Sequence, residues 1–286
     1  MARNSKSRLG KDQDTTSKPA ASDDPVAAVE AGGALEFATP TEFVQLPSGG
    51  KHYPEGHPLC GVDSLEIKFM TAKEEDILTS KTLIKQGVAL ERLLKSVIID
   101  KRVDPSKMLT GDRNAVLVAA RISGYGEQYN AKVACPACTS INEVSYDLSD
   151  VEHNESEDNN EVSWNSEGNM VMTLPFSGID VEARLFTGKD EMYISRLQES
   201  KRRKKLAETG IQDVLSLMIV SVNGDDSKET LQKFINGVPA RDVRHLREVY
   251  RQNTPNISMN HDFECESCNF GTVVEVPFTV EFFWPR

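Results

Sequence analysis

The sequence predicts an α+β protein of two related halves, each running strand, three helices, strand, C-x-x-C, strand, joined through a shared zinc-ribbon-like site. Three observations carry this. "DSLEIKFMTAKEEDIL" lines up with "IDVEARLFTGKDEMYI", placing Thr187 opposite Thr71 and Asp190 opposite Glu74. "YNAKVACPACTSINEVSYDL" is answered by "ISMNHDFECESCNFGTVVEVPFTV", placing Cys135 and Cys138 opposite Cys265 and Cys268. Between these anchors the helical patterns follow in the same order.

The expected layout is a flexible N-terminal arm (1–38), a first half (39–148), an acidic linker (149–168) and a second half (169–286). The arm is rich in Ser, Asp, Lys, Ala and Gly and has too few large apolar groups to offset the entropy of ordering. Its charged start has no apolar segment behind it, which argues against a secretory signal. No apolar run approaches the roughly 20 residues of a membrane helix. The net charge of −11 argues against a general nucleic-acid binder, which needs a basic face for phosphates.

In the first half, Pro47-Ser48-Gly49-Gly50 and Tyr53-Pro54-Glu55-Gly56 are turn chemistry. "DSLEIKFM" alternates Leu65, Ile67 and Phe69 against polar neighbours, a half-buried strand. "TAKEEDILTSKTLIKQG" predicts a helix with Thr71 as N-cap, Glu74 completing a capping box and Gly87 as the stop. "VALERLLKSVIID" predicts a second helix with Leu90, Leu93, Leu94, Val97 and Ile98 on one face. "DRNAVLVAARI" predicts a third, and the cysteine pair follows between two strands. Residues 149–168 hold acids but no Lys or Arg, which reads as a linker or exposed loop.

In the second half, Gly210 is expected to end the first helix, "IQDVLSLMIVSVNG" to answer the second and "GVPARDVRHLREVY" the third, with Pro239 suited to a first turn. Ser227 is the expected cap after "NGDD". "VPFTVEFFWPR" reads as a last core strand with Phe278, Val280 and Phe282 on one face, or as an assembly contact.

Of the five cysteines, four form the two C-x-x-C pairs. A structural zinc wants four tetrahedral ligands, and short turns deliver thiolates in pairs. Cys135, Cys138, Cys265 and Cys268 supply four, and a duplication explains how pairs so far apart in sequence meet at one ion. One zinc per chain is the expectation; iron, redox chemistry and unliganded thiols are the alternatives. A redox C-x-x-C opens a helix that lowers the thiol pKa, whereas here strand-like "INEVSYDL" follows. His261 offers a substitute ligand but reads as a surface residue, as does His153. Cys60 reads as a small buried hydrophobe. The basic run "KRRKK" (201–205) reads as a solvated helix face, with an acidic partner surface as the next reading. There is no phosphate loop, H-E-x-x-H or G-x-S-x-G, so no enzyme is expected.

Leu46-Pro47-Ser48 with Tyr53-Pro54, and Gly111-Asp112-Arg113 leading to Tyr125-Gly126 and C-x-x-C, resemble the baseplate hub or hub-assembly proteins of T-even-type contractile-tailed bacteriophages, over roughly residues 43–148. The resemblance implies a structural protein of the virion tail baseplate, made in the host cytoplasm, linking the central hub or tube end to surrounding baseplate proteins. Its partners would be other baseplate and tail proteins, with no nucleic acid, membrane span or small-molecule substrate. Two alternatives are an assembly chaperone absent from the mature virion and a zinc-ribbon nucleic-acid binder.

Overall fold

Each half opens on a hairpin, where one strand was expected, because a Leu-Pro turn folds the chain back before the helices begin. The computed structural model describes residues 39–154, 161–205, 210–275 and 280–283. The expected arm, Phe278 and Trp284 lie outside these. β1 (Thr41–Gln45) pairs antiparallel with β2 (Ser64–Lys68), burying Val44 against Leu65. α1 (Ala72–Thr79) starts on the expected capping box: the Glu74 carboxylate accepts from the Thr71 N–H and hydroxyl.

The single helix expected over 71–87 breaks at Ser80. Its backbone is extended, and its hydroxyl caps α2 (Lys81–Gln86), which stops at Gly87 with φ +68°. A hydroxyl that can satisfy the first N–H groups of a new helix competes with continuing the old one. α3 (Ala89–Val97) buries Leu93, Leu94 and Val97, and the chain then extends so that Ile98 bridges Ile67. A 3-10 turn (Pro105–Lys107) leads to α4 (Thr110–Tyr125), β3 (Gln128–Ala134) and β4 (Ile141–Asp147).

The stretch 149–168, expected as a linker, carries β5 (Glu152–Asn154) and β6 (Ser163–Trp164). Then come β7 (Met170–Thr173), β8 (Asp180–Ala183), α5 (Gly188–Arg203), α6 (Gly210–Met218), β9 (Ile219–Val222), α7 (Lys228–Gly237), α8 (Ala240–Asn253), β10 (Asn256–Ser258), β11 (Asn260–Glu264) and β12 (Gly271–Glu275). β6, β7, β8 and β9 form one antiparallel sheet, and β5 pairs with β10. Ser227 caps α7 as expected. Gly210 opens α6 rather than ending α5. The helix expected over "IQDVLSLMIVSVNG" stops at Met218, because the β-branched Ile219, Val220 and Val222 continue as a strand against β8.

Two buried aspartates tie the hairpin turns to the helices that follow. Asp112 on α4 accepts from the Ser48 N–H, the Ser48 hydroxyl and the Tyr53 hydroxyl. Asp242 on α8 accepts from the Phe176 and Ser177 N–H groups, in the turn after Leu174-Pro175. Ser48, Tyr53 and Asp112, which carry the family resemblance, are therefore one hydrogen-bonded node.

The halves meet along a short extended contact. Leu109 bridges Thr187, the Thr110 N–H donates to the Phe186 carbonyl, and the Gly188 N–H donates to that of Met108. Two tyrosine hydroxyls close its ends, Tyr53 accepting from the Leu109 N–H and Tyr250 from the Phe186 N–H. Gly111 lets α4 approach the chain before β10: a Cβ there would stand 2.1 Å from the Pro255 carbonyl oxygen. One continuous core runs through both halves, from Val44 to Phe283.

Two further expectations change. Val280–Phe283 is a 3-10 turn, not a strand, with Phe282 and Phe283 buried in this chain's own core rather than offered to a partner. Buried Arg121 holds it there, donating to the carbonyls of Phe282, Gly126 and Gln128. Cys60 is exposed, because neighbouring Leu59 takes the buried position in that turn. Among the described residues no helix is long and apolar enough to cross a membrane.

Candidate metal centre

Each C-x-x-C pair sits in a six-residue loop closing a two-stranded hairpin. The last strand pair is Ala134–Ile141 in one and Glu264–Gly271 in the other. The loop hydrogen bonds are the same. The Cys135 N–H donates to the Ser140 carbonyl and the Thr139 N–H to that of Cys135, both at 2.8 Å. The Cys265 N–H donates to the Phe270 carbonyl at 3.0 Å and the Asn269 N–H to that of Cys265 at 2.8 Å. The residue after each second cysteine is left-handed: Thr139 at φ +60° and Asn269 at φ +56°.

The structure brings the four predicted residues together. The four sulfurs lie within 4.8 Å of one another. Cys135 Sγ is 3.8 Å from Cys268 Sγ, and Cys138 Sγ is 3.6 Å from Cys265 Sγ, so both short contacts cross from one hairpin to the other. Four ligands at about 2.3 Å around a tetrahedral ion stand about 3.8 Å apart. Cys135 and Cys265 are buried, while Cys138 and Cys268 are exposed. Phe263 packs with the buried pair as a small cluster of its own, and Val133 and Val144 lie between it and the main core.

Sequence reasoning missed two supporting residues. The Ser140 hydroxyl lies 3.0 Å from Cys138 Sγ and 3.3 Å from Cys265 Sγ. The Asn142 amide donates to Cys265 Sγ at 3.6 Å, and its carbonyl accepts the Glu266 N–H at 3.0 Å, latching the second loop onto the first hairpin. Asn142 had a signal: it falls on the inward face of β4 with Val144 and Tyr146, where an apolar residue is the norm. His261 instead sets its ring edge-on to Tyr146 at 4.7 Å. His153 lies on β5, with its side chain outside the description.

The thiols perturb one another. The Ser140 hydroxyl leads in holding Cys265 down at about 5, and it lowers Cys138 as well. Cys268 moves the other way, to about 12: the Phe270 backbone favours its thiolate, but Cys138, burial, Cys265 and Cys135 outweigh that. Four clustered thiols cannot all carry charge by themselves, and a bound divalent cation removes that conflict. The donor set fits a thiolate-binding ion.

Among curated proteins and among solved structures nothing matches the chain. A family model does: the one described as T4 bacteriophage base plate protein matches residues 39–284. That span takes in the aspartate-tied turns, both hairpins and all four site cysteines, and the chain belongs to this T4-type phage baseplate family.

Proposed function

We propose that this chain is a structural component of a contractile phage tail baseplate, linking the central hub or tube end to surrounding baseplate proteins, with one structural zinc per chain. The family match over residues 39–284 carries the reading. Partners are other baseplate and tail proteins, and the reading assigns no catalysis, small-molecule substrate or nucleic acid. Mass spectrometry of purified virions tests it: the chain is expected in fixed ratio to other baseplate proteins. Its absence from mature particles overturns the reading in favour of an assembly chaperone.

Cys135, Cys138, Cys265 and Cys268 would hold the zinc. The ion would neutralise the thiolates and fix the two hairpins to each other, so that part of its binding energy is folding energy. Asn142, donating to Cys265, and the Ser140 hydroxyl, within hydrogen-bond reach of Cys138 and Cys265, would orient the sulfurs as outer partners do at metal sites. Metal analysis of purified protein should find one zinc per chain; none, or two, overturns the shared site.

We read the two halves as an internal duplication. Asp112 stands 23 residues before Cys135, and Asp242 stands 23 before Cys265. A basic residue also stands six before each cap acid, Lys68 for Glu74 and Arg184 for Asp190. Both are ion pairs.

A further inference from the structure

The basic run at 201–205 has no role in the baseplate reading. It ends α5, a 16-residue helix whose buried positions are Gly188 and Asp190. The helix packs against α4, α6 and the 3-10 turn at Pro105–Lys107 while leaving much of its basic side exposed. Its acids are committed within the chain: Asp190 to Arg184, Glu191 to Arg113 and Glu199 to Arg203. Lys201 is held by Asp213. Lys189, Arg196, Arg202, Lys204 and Lys205 stay exposed and pair with no described acid. Tyr193, 54% exposed, lies in the stripe between Lys189 and Arg196, and Ile211, 52% exposed, lines a cleft with Lys201 and Arg202.

We propose that this basic end of α5 docks the acidic tract 152–161 of a second copy of the chain. The tract, "EHNESEDNNE", has five carboxylates in ten residues and no Lys or Arg. Its flanks are fixed by β5 pairing with β10 and β6 pairing with β7, while residues 155–160 lie outside the description. Charge complementarity selects the occupant. A chain of net charge −11 repels its copies in general, and the end of α5 is where it attracts one. The contact joins two different patches, so it closes as a two-fold dimer where both patches meet reciprocally, and otherwise builds a ring or an open chain.

Sedimentation velocity of the full chain tests this. At about 0.01 M salt, where charges reach about 30 Å, species heavier than the 31.7 kDa monomer are expected. At about 1 M salt, with a reach of about 3 Å, the monomer should return. The surface variant Arg202→Glu, Lys204→Glu, Lys205→Glu should stay monomeric, as should Glu155→Lys, Glu157→Lys, Asp158→Lys. Circular dichroism checks that both remain folded. An equal mixture of the two variants should assemble again, because each supplies what the other has reversed. A wild-type monomer at low salt, a mass indifferent to the reversals, or a mixture that stays monomeric would each overturn the proposal; the last also identifies a contact made within one chain.

Discussion

Helices α1 and α5 open on the same device made from different residues. In α1, Lys68 reaches one oxygen of Glu74 at 2.7 Å, the Ser96 hydroxyl of α3 shares that oxygen, and Thr71 uses the other. In α5, Arg184 holds both oxygens of Asp190 at 2.7 and 2.8 Å, and Thr187 completes the cap. An ammonium is a point charge, so Glu74 depends on a neighbouring helix to finish its hydrogen bonding. A guanidinium fork matches a carboxylate alone. The Glu74 side chain is fully buried, whereas that of Asp190 keeps 11% exposure. The two buried aspartates differ too, since Asp112 collects two side-chain hydroxyls beside one backbone N–H where Asp242 collects two backbone N–H groups. At both pairs the first half adds hydroxyl donors, Ser96 at the cap and Ser48 with Tyr53 at the aspartate, where the second half relies on the Arg184 guanidinium and on backbone N–H groups.

The largest break in this comparison is at the seam both halves share. Replacing the buried thiols, Cys135→Ser with Cys265→Ser, should abolish metal binding and destabilise the chain by several kcal/mol, a part of the roughly 10–16 kcal/mol of structural zinc binding. Denaturant unfolding with and without chelator measures it. A wild-type midpoint that ignores the chelator would mean the hairpins hold each other without metal.

The cap acids come next. Glu74→Ala should cost about 3–5 kcal/mol, because it leaves Lys68 and Ser96 without their buried acceptor. Asp190→Ala should cost less, about 2–3 kcal/mol, because Arg184 is partly solvated. Equal losses in chemical denaturation would remove burial as the reason the two caps differ.

Acid titration probes the same pair more gently. Burial by itself would raise Glu74, but Lys68, Ser96 and Thr71 outweigh it and hold it at about 2. A depressed carboxyl contributes stability in full above its unfolded value near 4.3, and that contribution is lost as pH falls towards about 2. Asp190 is lowered too, so Glu74→Gln should flatten part of the acid limb and leave a remainder. A limb unchanged in that variant would show that Glu74 does not set it.

The smallest effect separates the two cysteine loops. Thr139 and Asn269 occupy the same left-handed position, which a β-branched residue tolerates poorly and Asn tolerates well. Thr139→Gly should stabilise by up to about 1 kcal/mol, while Asn269→Gly should be close to neutral. Melting temperatures in the metal-loaded state decide it, and a destabilised Thr139→Gly would show that its hydroxyl bond to the Cys138 carbonyl matters more than the strain.

Features that rest on a few neighbouring residues were legible in the sequence. Thr71 with Glu74, Thr187 with Asp190, Gly87 and Ser227 each satisfy backbone groups within a turn, so their spacing suffices. The C-x-x-C pairs were legible because two thiols on one turn are chemically incomplete and call for another pair. The break at Ser80 was not, because "DILTSKTLI" suits one helix as well as two. Nor was the strand after Met218, whose apolar run fits either state until β8 lies beside it. Phe282 and Phe283 read as a strand end or an interface because the carbonyl-binding Arg121 lies 161 residues away from Phe282.

By itself the sequence determined the capped helix starts at Thr71, Thr187 and Ser227, which four sulfurs needed one another, and that two passages of the chain repeat a similar order of residues. Only the tertiary structure decided that the sulfurs cross between hairpins, that one core serves both passages, and that Ser140 and Asn142 finish the cysteine site. Caps and turns are settled within a few residues of chain. Shared cores and converging thiols depend on which distant surfaces meet, and burial with hydrogen-bond satisfaction chooses among those meetings only once the whole chain is folded.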